Sequence, residues 1–212
     1  MMPKTKNGHP ALLMISAMQK AIRRGEERDA MGFACELVHT SKAYCTMVLN
    51  RLVVITHEDI DTTRAPWVVP FVATAVVQAQ VAYARKPENP GGARMIIGNA
   101  IRLMCRAPKS REGDHFQAAV GLANLLERHV PEVPDHAFDK HTTKGKRMGR
   151  GLDHFRAEGA ALYEATLDAR GAPASFTGVV EDGYADEAYR LWRLRDERAR
   201  AGNLLGDNDE ED

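Results

Sequence analysis

The run Arg51-Leu52-Val53-Val54-Ile55-Thr56-His57-Glu58-Asp59-Ile60 decides the fold. Met47 and Leu49 precede it, and with Leu52, Val53 and Ile55 they make a helix that is apolar on most sides. That is the pattern of a helix at the centre of a bundle. The run then ends abruptly in charge. Arg51 and Glu58 stand seven residues apart, so a helix places them on roughly one side, two turns from each other. A charge beside so apolar a stretch needs a partner, because burying it alone is costly. Arg51, Glu58 and Asp59 are therefore expected to form a polar cluster that fixes how neighbouring helices meet. His57 beside Glu58 and Asp59 offers metal-ligand atoms, but not at a diagnostic spacing.

Helical periodicity extends in both directions from this stretch. Upstream, Leu12, Leu13, Ile15, Met18 and Ile22 form an apolar stripe that Gly25 should stop. A second helix, from near Glu26, carries Ala30, Phe33, Ala34, Leu37 and Val38, and the two read as a helical hairpin. Downstream, Arg64-Ala65-Pro66 opens another helix with Pro66 in its first turn. The apolar run from Trp67 to Ala84 contains Pro70, Gln78 and Gln80, which makes it a poor membrane span and a candidate buried helix. Residues 85–92, rich in Pro and Gly, form a loop. The helix from Ala93 to Cys105 is broken by Pro108, and a further helix follows through Phe116, Val120, Leu122, Leu125 and Leu126. Short loops between successive helices argue for antiparallel packing in an all-α domain.

Composition excludes several classes. The 212 residues suffice for one domain with a real core. Lys+Arg and Asp+Glu both number 29, so bulk attraction to nucleic acid is not indicated and any such surface must be local. Cys35, Cys45 and Cys105 fall inside helical patterns, an odd set that reads as reduced thiols in a cytosolic core. No signal-type apolar segment follows the basic N-terminus, and a cytoplasmic location is expected. Trp67, Tyr189 and Trp192 read as packing anchors.

The chain is expected to divide into a helical bundle core (residues 1–134), a basic glycine-containing loop (135–151), a C-terminal helical extension (152–206) and an acidic tail (207–212). In the loop, Lys140, Lys144, Lys146, Arg147 and Arg150 lie close together and are candidates for gripping phosphates. Gly145-Lys146 is followed by Arg147 and lacks an upstream glycine and strand, so the phosphate-binding P-loop pattern fails. His136, His141 and His154, with Asp135, Asp139 and Asp153, allow a metal-dependent hydrolase as a lesser hypothesis. They show no close ligand repeat. The extension is expected to contain a helix from His154 through Leu162, Ala165 and Leu167, and a charged helix from about Ala185 to Ala201.

The opening stretch and a second one, Ala93-Arg94-Met95-Ile96-Ile97-Gly98-Asn99-Ala100-Ile101-Arg102-Leu103-Met104-Cys105 running into Arg106-Ala107-Pro108-Lys109-Ser110, resemble in that order the C-terminal helical region of the RarA/MgsA family. These are clamp-loader-like AAA+ ATPases that include the Werner-helicase-interacting proteins. Family members carry a similar Arg-Leu-apolar-Ser-Glu-Asp helix and a helix closing on Ala-Pro-Lys-Ser. Here Arg106, Pro108, Lys109 and Ser110 mark that turn. The resemblance covers about Pro10 to Gly151. Asp61 stands where the family has glycine, and the 85–92 loop is enlarged. Gly149 and Gly151 match glycines of a family turn whose aromatic residues are absent here.

What the resemblance implies is a bundle similar to the clamp-loader collar and a non-enzymatic oligomerisation module, with a tetramer favoured. The implied partners are a separate replication ATPase or a single-strand DNA-binding protein, and DNA. The chain is expected to lack the family's ATPase module, and neither catalytic residues, metal nor cofactor is expected. A nucleic-acid-binding accessory protein acting through the basic loop is the alternative.

Overall fold

The computed structural model describes residues 3–161 and 182–202, and among these all extended regular elements are helical. Five long helices carry the main core: α1 (Ala11–Arg24), α2 (Glu27–Val38), α3 (Lys42–Glu58), α4 (Val68–Arg85) and α5 (Gly91–Arg106). They are followed by α6 (Glu112–Glu127), the short α7 (Thr143–Arg147) and α8 (Leu152–His154), and α9 (Ala185–Arg200). The expected helix beyond His154 is a single turn that widens into a π-turn over Phe155–Gly159. Leu162, Ala165, Leu167 and the acidic tail lie outside the described residues.

The described chain forms two compact units. One contains residues 3–119 with 182–190, the other 120–161 with 191–202. The division falls inside α6 rather than at residue 134.

In the first unit, α1 and α2 form the expected hairpin. Gly25 ends α1 at φ 77°, a left-handed conformation that glycine adopts without strain, and its N–H bonds back to α1. Helix α3 packs against α1, α2, α4 and α5, which makes it the central element. Ser41 caps its start by accepting from the Tyr44 N–H. Met18, Ile22, Leu37, Leu49, Leu52, Ile55, Ile97 and Ile101 are all fully buried within one continuous core. Val53 and Val54 face outward, so α3 is not buried on every side.

Four expectations need correction. Pro66 precedes α4 and lies in a turn, while Pro70 occupies the first turn of the helix. Helix α4 is not buried: only 33% of its apolar span is enclosed. It buries Val68, Val72, Ala75, Ala79 and Tyr83, a narrow seam spaced for one helix face, and Trp67 lies exposed instead of anchoring the core. In α6, Phe116, Val120 and Leu125 point outward, and the buried face is His115, Ala118, Ala119, Ala123 and Leu126. The reason in both helices is the same. Alanines let a neighbouring backbone approach closely, so they mark the contact face better than the larger side chains do.

In the second unit, Arg198 of α9 donates to the Leu126 carbonyl at 2.8 Å, satisfying an acceptor that the end of α6 leaves open. Replacing Leu52, fully enclosed in the central helix, with Ala should lower stability by about 2–5 kcal/mol in urea unfolding. Replacing exposed Val77 with Ala should change it by no more than about 0.5 kcal/mol.

Candidate functional site

The charged end of α3 is held by α1. The Asp59 side chain is fully enclosed; its Oδ1 accepts from Arg23 Nε at 2.7 Å and its Oδ2 from Gln19 Nε2 at 3.1 Å. Arg23 also reaches Glu58 at 3.3 Å, and Arg111 approaches the same carboxylate at 3.7 Å. Arg51 does not meet Glu58. It donates to Gln19 Oε1 at 3.3 Å, so the buried amide bridges Arg51 to Asp59.

Sequence reading missed Gln19, Arg23 and Arg111. One signal was present. Gln19 and Arg23 are four apart and continue the buried stripe of Ile15, Met18 and Ile22, a position at which an amide and a guanidinium require partners.

The stretch after α3 pairs with the turn after α5. Asp61 N–H donates to the Pro108 carbonyl at 3.0 Å and Ser110 N–H to the Asp59 carbonyl at 3.2 Å, forming an antiparallel bridge between Ile60 and Lys109. Pro108 cannot extend α5 because it lacks an N–H. Lys109 turns back, and its ammonium donates to the carbonyls of Met104 at 2.8 Å, Cys105 at 2.9 Å and Ala107 at 2.6 Å. Burial lowers the Lys109 pKa, and the three carbonyls are its compensation. Ser110 Oγ accepts from Glu112 N–H at 3.1 Å and starts α6. Arg106 grips Glu27 of α2 with two nitrogens, which holds that carboxyl below its usual pKa. Asp61 accepts from the N–H groups of Thr63 and Arg64 at 3.1 Å each and so builds the turn towards α4. The two stretches thus meet in one junction whose charges are spent on each other and on helix ends.

The basic segment of the second unit is not an open loop of five free cations. It contains α7, capped by Thr142, whose hydroxyl accepts from Gly145 N–H at 3.0 Å. Gly145 lies so close to the Asp139 backbone that a Cβ would overlap it, which makes this the glycine that the segment requires. Arg150 is turned inward: its side chain is only 16% exposed and pairs with Asp135 at 2.6 Å and with the carbonyls of Asp135 and Phe138. Unlike an open loop cation, it is thus already paired within the segment. Lys144 lies 3.8 Å above the Phe138 ring and Lys140 5.6 Å from the Phe155 ring. Lys146 and Arg147 face solvent.

The same contacts engage two of the carboxylates that were candidate metal ligands. Asp135 is taken by Arg150, Asp139 accepts from His141 at 2.8 Å, and both carboxyls are held below their usual pKa by these partners. Among the described residues no three His, Cys, Asp or Glu side chains converge as a metal site would require. Burial pushes the Cys45 and Cys105 thiols up to about 11, which leaves them protonated and weakly nucleophilic at neutral pH.

Replacing Asp59 with Ala takes the acceptor from Gln19 Nε2 and leaves Arg23 with Glu58 alone, and should cost about 1–3 kcal/mol in chemical unfolding. Replacing Arg51 with Ala removes a single partly exposed bond and should cost about 1 kcal/mol. No protein-family model matches this chain, and no curated protein matches it, so its role has to be read from its own residues.

Proposed function

We propose that this chain is a non-enzymatic assembly module whose copies associate through the outer face of α4. The observation that carries the reading is an apolar stripe turned to solvent. Trp67 is 55% exposed, Phe71 44%, Val77 59% and Val81 48%, and all four lie on one side of the helix. Thr74 and Gln78 are the polar residues between them, and no charge interrupts the stripe. Contiguous apolar surface of this kind marks an association site. Burying one such side chain contributes roughly 1.5–3 kcal/mol. A symmetric contact counts each residue twice, which is the scale needed against an association cost of about 4–15 kcal/mol.

The link to DNA replication or repair rests on the resemblance of residues 51–60 and 93–110 to the RarA/MgsA oligomerisation region. That these two stretches form one hydrogen-bonded junction supports treating them as a single structural feature. On this reading the bundle is similar to a clamp-loader collar, the assembly is a tetramer, and the partner is a separately encoded replication ATPase or a single-strand DNA-binding protein. Light scattering at micromolar concentration should return a multiple of the chain mass. The double substitution F71D/V81D should return the mass of one chain with an unchanged helical circular-dichroism spectrum. A native protein that already runs as one chain overturns the proposal.

A nucleic-acid accessory role keeps one specific support, the exposed pair Lys146 and Arg147 on α7. On that reading, K146Q/R147Q should weaken binding to a single-stranded oligonucleotide and flatten its salt dependence. R150Q should instead disturb the fold of the segment around Asp135 and Phe138.

A further inference from the structure

The interface between α2 and α5 contains a groove of about 530 Å³ that the assembly reading does not use. Its volume lies within the range that holds a defined ligand. The floor is apolar: Ile101 is fully buried, Met31 is half-buried, and Gly98 carries no side chain to fill the space above Met31. Met95, on the rim, is 67% exposed and adds apolar surface to the edge of the groove. Methionine's flexible thioether suits a surface that adapts to an inserted side chain.

The rim is cationic. Arg28, Arg94 and Arg102 border the groove, and the one acid there, Glu27, is occupied by Arg106 and lies 3.8 Å from Arg102. Arg94 lies at 2.9 Å from His39 Nε2, and burial together with the Lys6 and Arg94 charges lowers the His39 pKa. A neutral imidazole accepts from the guanidinium without cancelling its charge, so the rim keeps its positive sign at neutral pH. One end of the groove is Gly91, at the start of α5, whose first turn has neither an acidic residue nor a side-chain cap.

We propose that this groove binds a short acidic peptide segment of a partner protein, with one apolar side chain seated over Gly98 between Met31 and Met95 and the flanking carboxylates on Arg28, Arg94 and Arg102. Charge complementarity selects the acid, since guanidinium forks match carboxylates in shape as well as sign. The apolar floor selects a peptide over a nucleic-acid backbone. It provides no aromatic ring for a base to stack on. The proposal is independent of α4: a chain that fails to assemble could still bind here, and the reverse.

The test is fluorescence anisotropy of the full chain with a labelled ten-residue peptide, four Asp on each side of a Leu-Phe pair. Saturable binding that weakens with salt is expected. A Ser-Ser version of the peptide should bind about tenfold more weakly, because the groove would lose its apolar occupant. R28E/R102E, both exposed positions, should weaken the native peptide by about tenfold or more. G98L should block it: a Cβ there makes only ordinary contact with Met31 at 3.5 Å, while the rest of the leucine fills the groove. Circular dichroism of both variants checks that they fold, and the Ser-Ser peptide tests the idea on the unaltered protein. Absence of saturable binding, equal binding of both peptides, or tighter binding of a ten-nucleotide single strand that R28E/R102E abolishes would each overturn the proposal.

Discussion

The desolvated carboxylate of Asp59 is the constraint around which the bundle is arranged. An enclosed acid is tolerable only where donors already point at it, and Arg23 and Gln19 are those donors. Their positions fix the rotation of α1 about its axis, because both project from its buried stripe. The same residue, through its backbone, accepts from Ser110 and so fixes where α5 hands over to α6. One short stretch therefore couples the first, third, fifth and sixth helices, which are distant in sequence. An apolar core of Leu, Ile and Met could be filled by more than one arrangement of helices. The directional bonds at Asp59 restrict that choice.

Around this junction, charge is used mainly to close helix ends. Lys109 serves the end of α5, Ser110 the start of α6, Asp61 the turn into α4, and Arg106 ties α5 to α2. That use ties most of the acids and bases of this cluster to one another or to backbone carbonyls. Removing Arg23 or Gln19, for example, would leave the enclosed Asp59 carboxylate short of a donor. The uncharged outer side of α4 and the groove between α2 and α5, the two surfaces proposed for recognition, take no part in that pairing.

Helix order and ends were largely legible because they depend on local chemistry. Gly25 and Pro108 act on their own neighbours, and the 3.6-residue period of α1, α2 and α5 reports a narrow buried face. Two kinds of information were not local. In α4 and α6 the apolar residues cover most of the circumference, so periodicity could not say which side turns inward. Ala75, Ala79, Ala118 and Ala119 decide it, and alanine is too common in helices to stand out. The partners of Arg51 and Arg150 were likewise hidden. Both arginines were read by the company they keep in sequence, whereas Arg51 answers to a glutamine on another helix and Arg150 to an aspartate fifteen residues earlier.

The three carbonyls around Lys109 have a consequence for what can replace it. They converge from Met104, Cys105 and Ala107 on one nitrogen, a tripod that matches the tetrahedral hydrogens of an ammonium. A guanidinium is flat and spreads its hydrogens in a plane, so arginine, the usual equal of lysine in charge, has the wrong geometry for this nest. Nor is the amine open to acylation while folded, since a neutral amide would leave at least two oxygens facing nothing. This position is thus closed both to the commonest exchange between basic residues and to the commonest modification of a lysine.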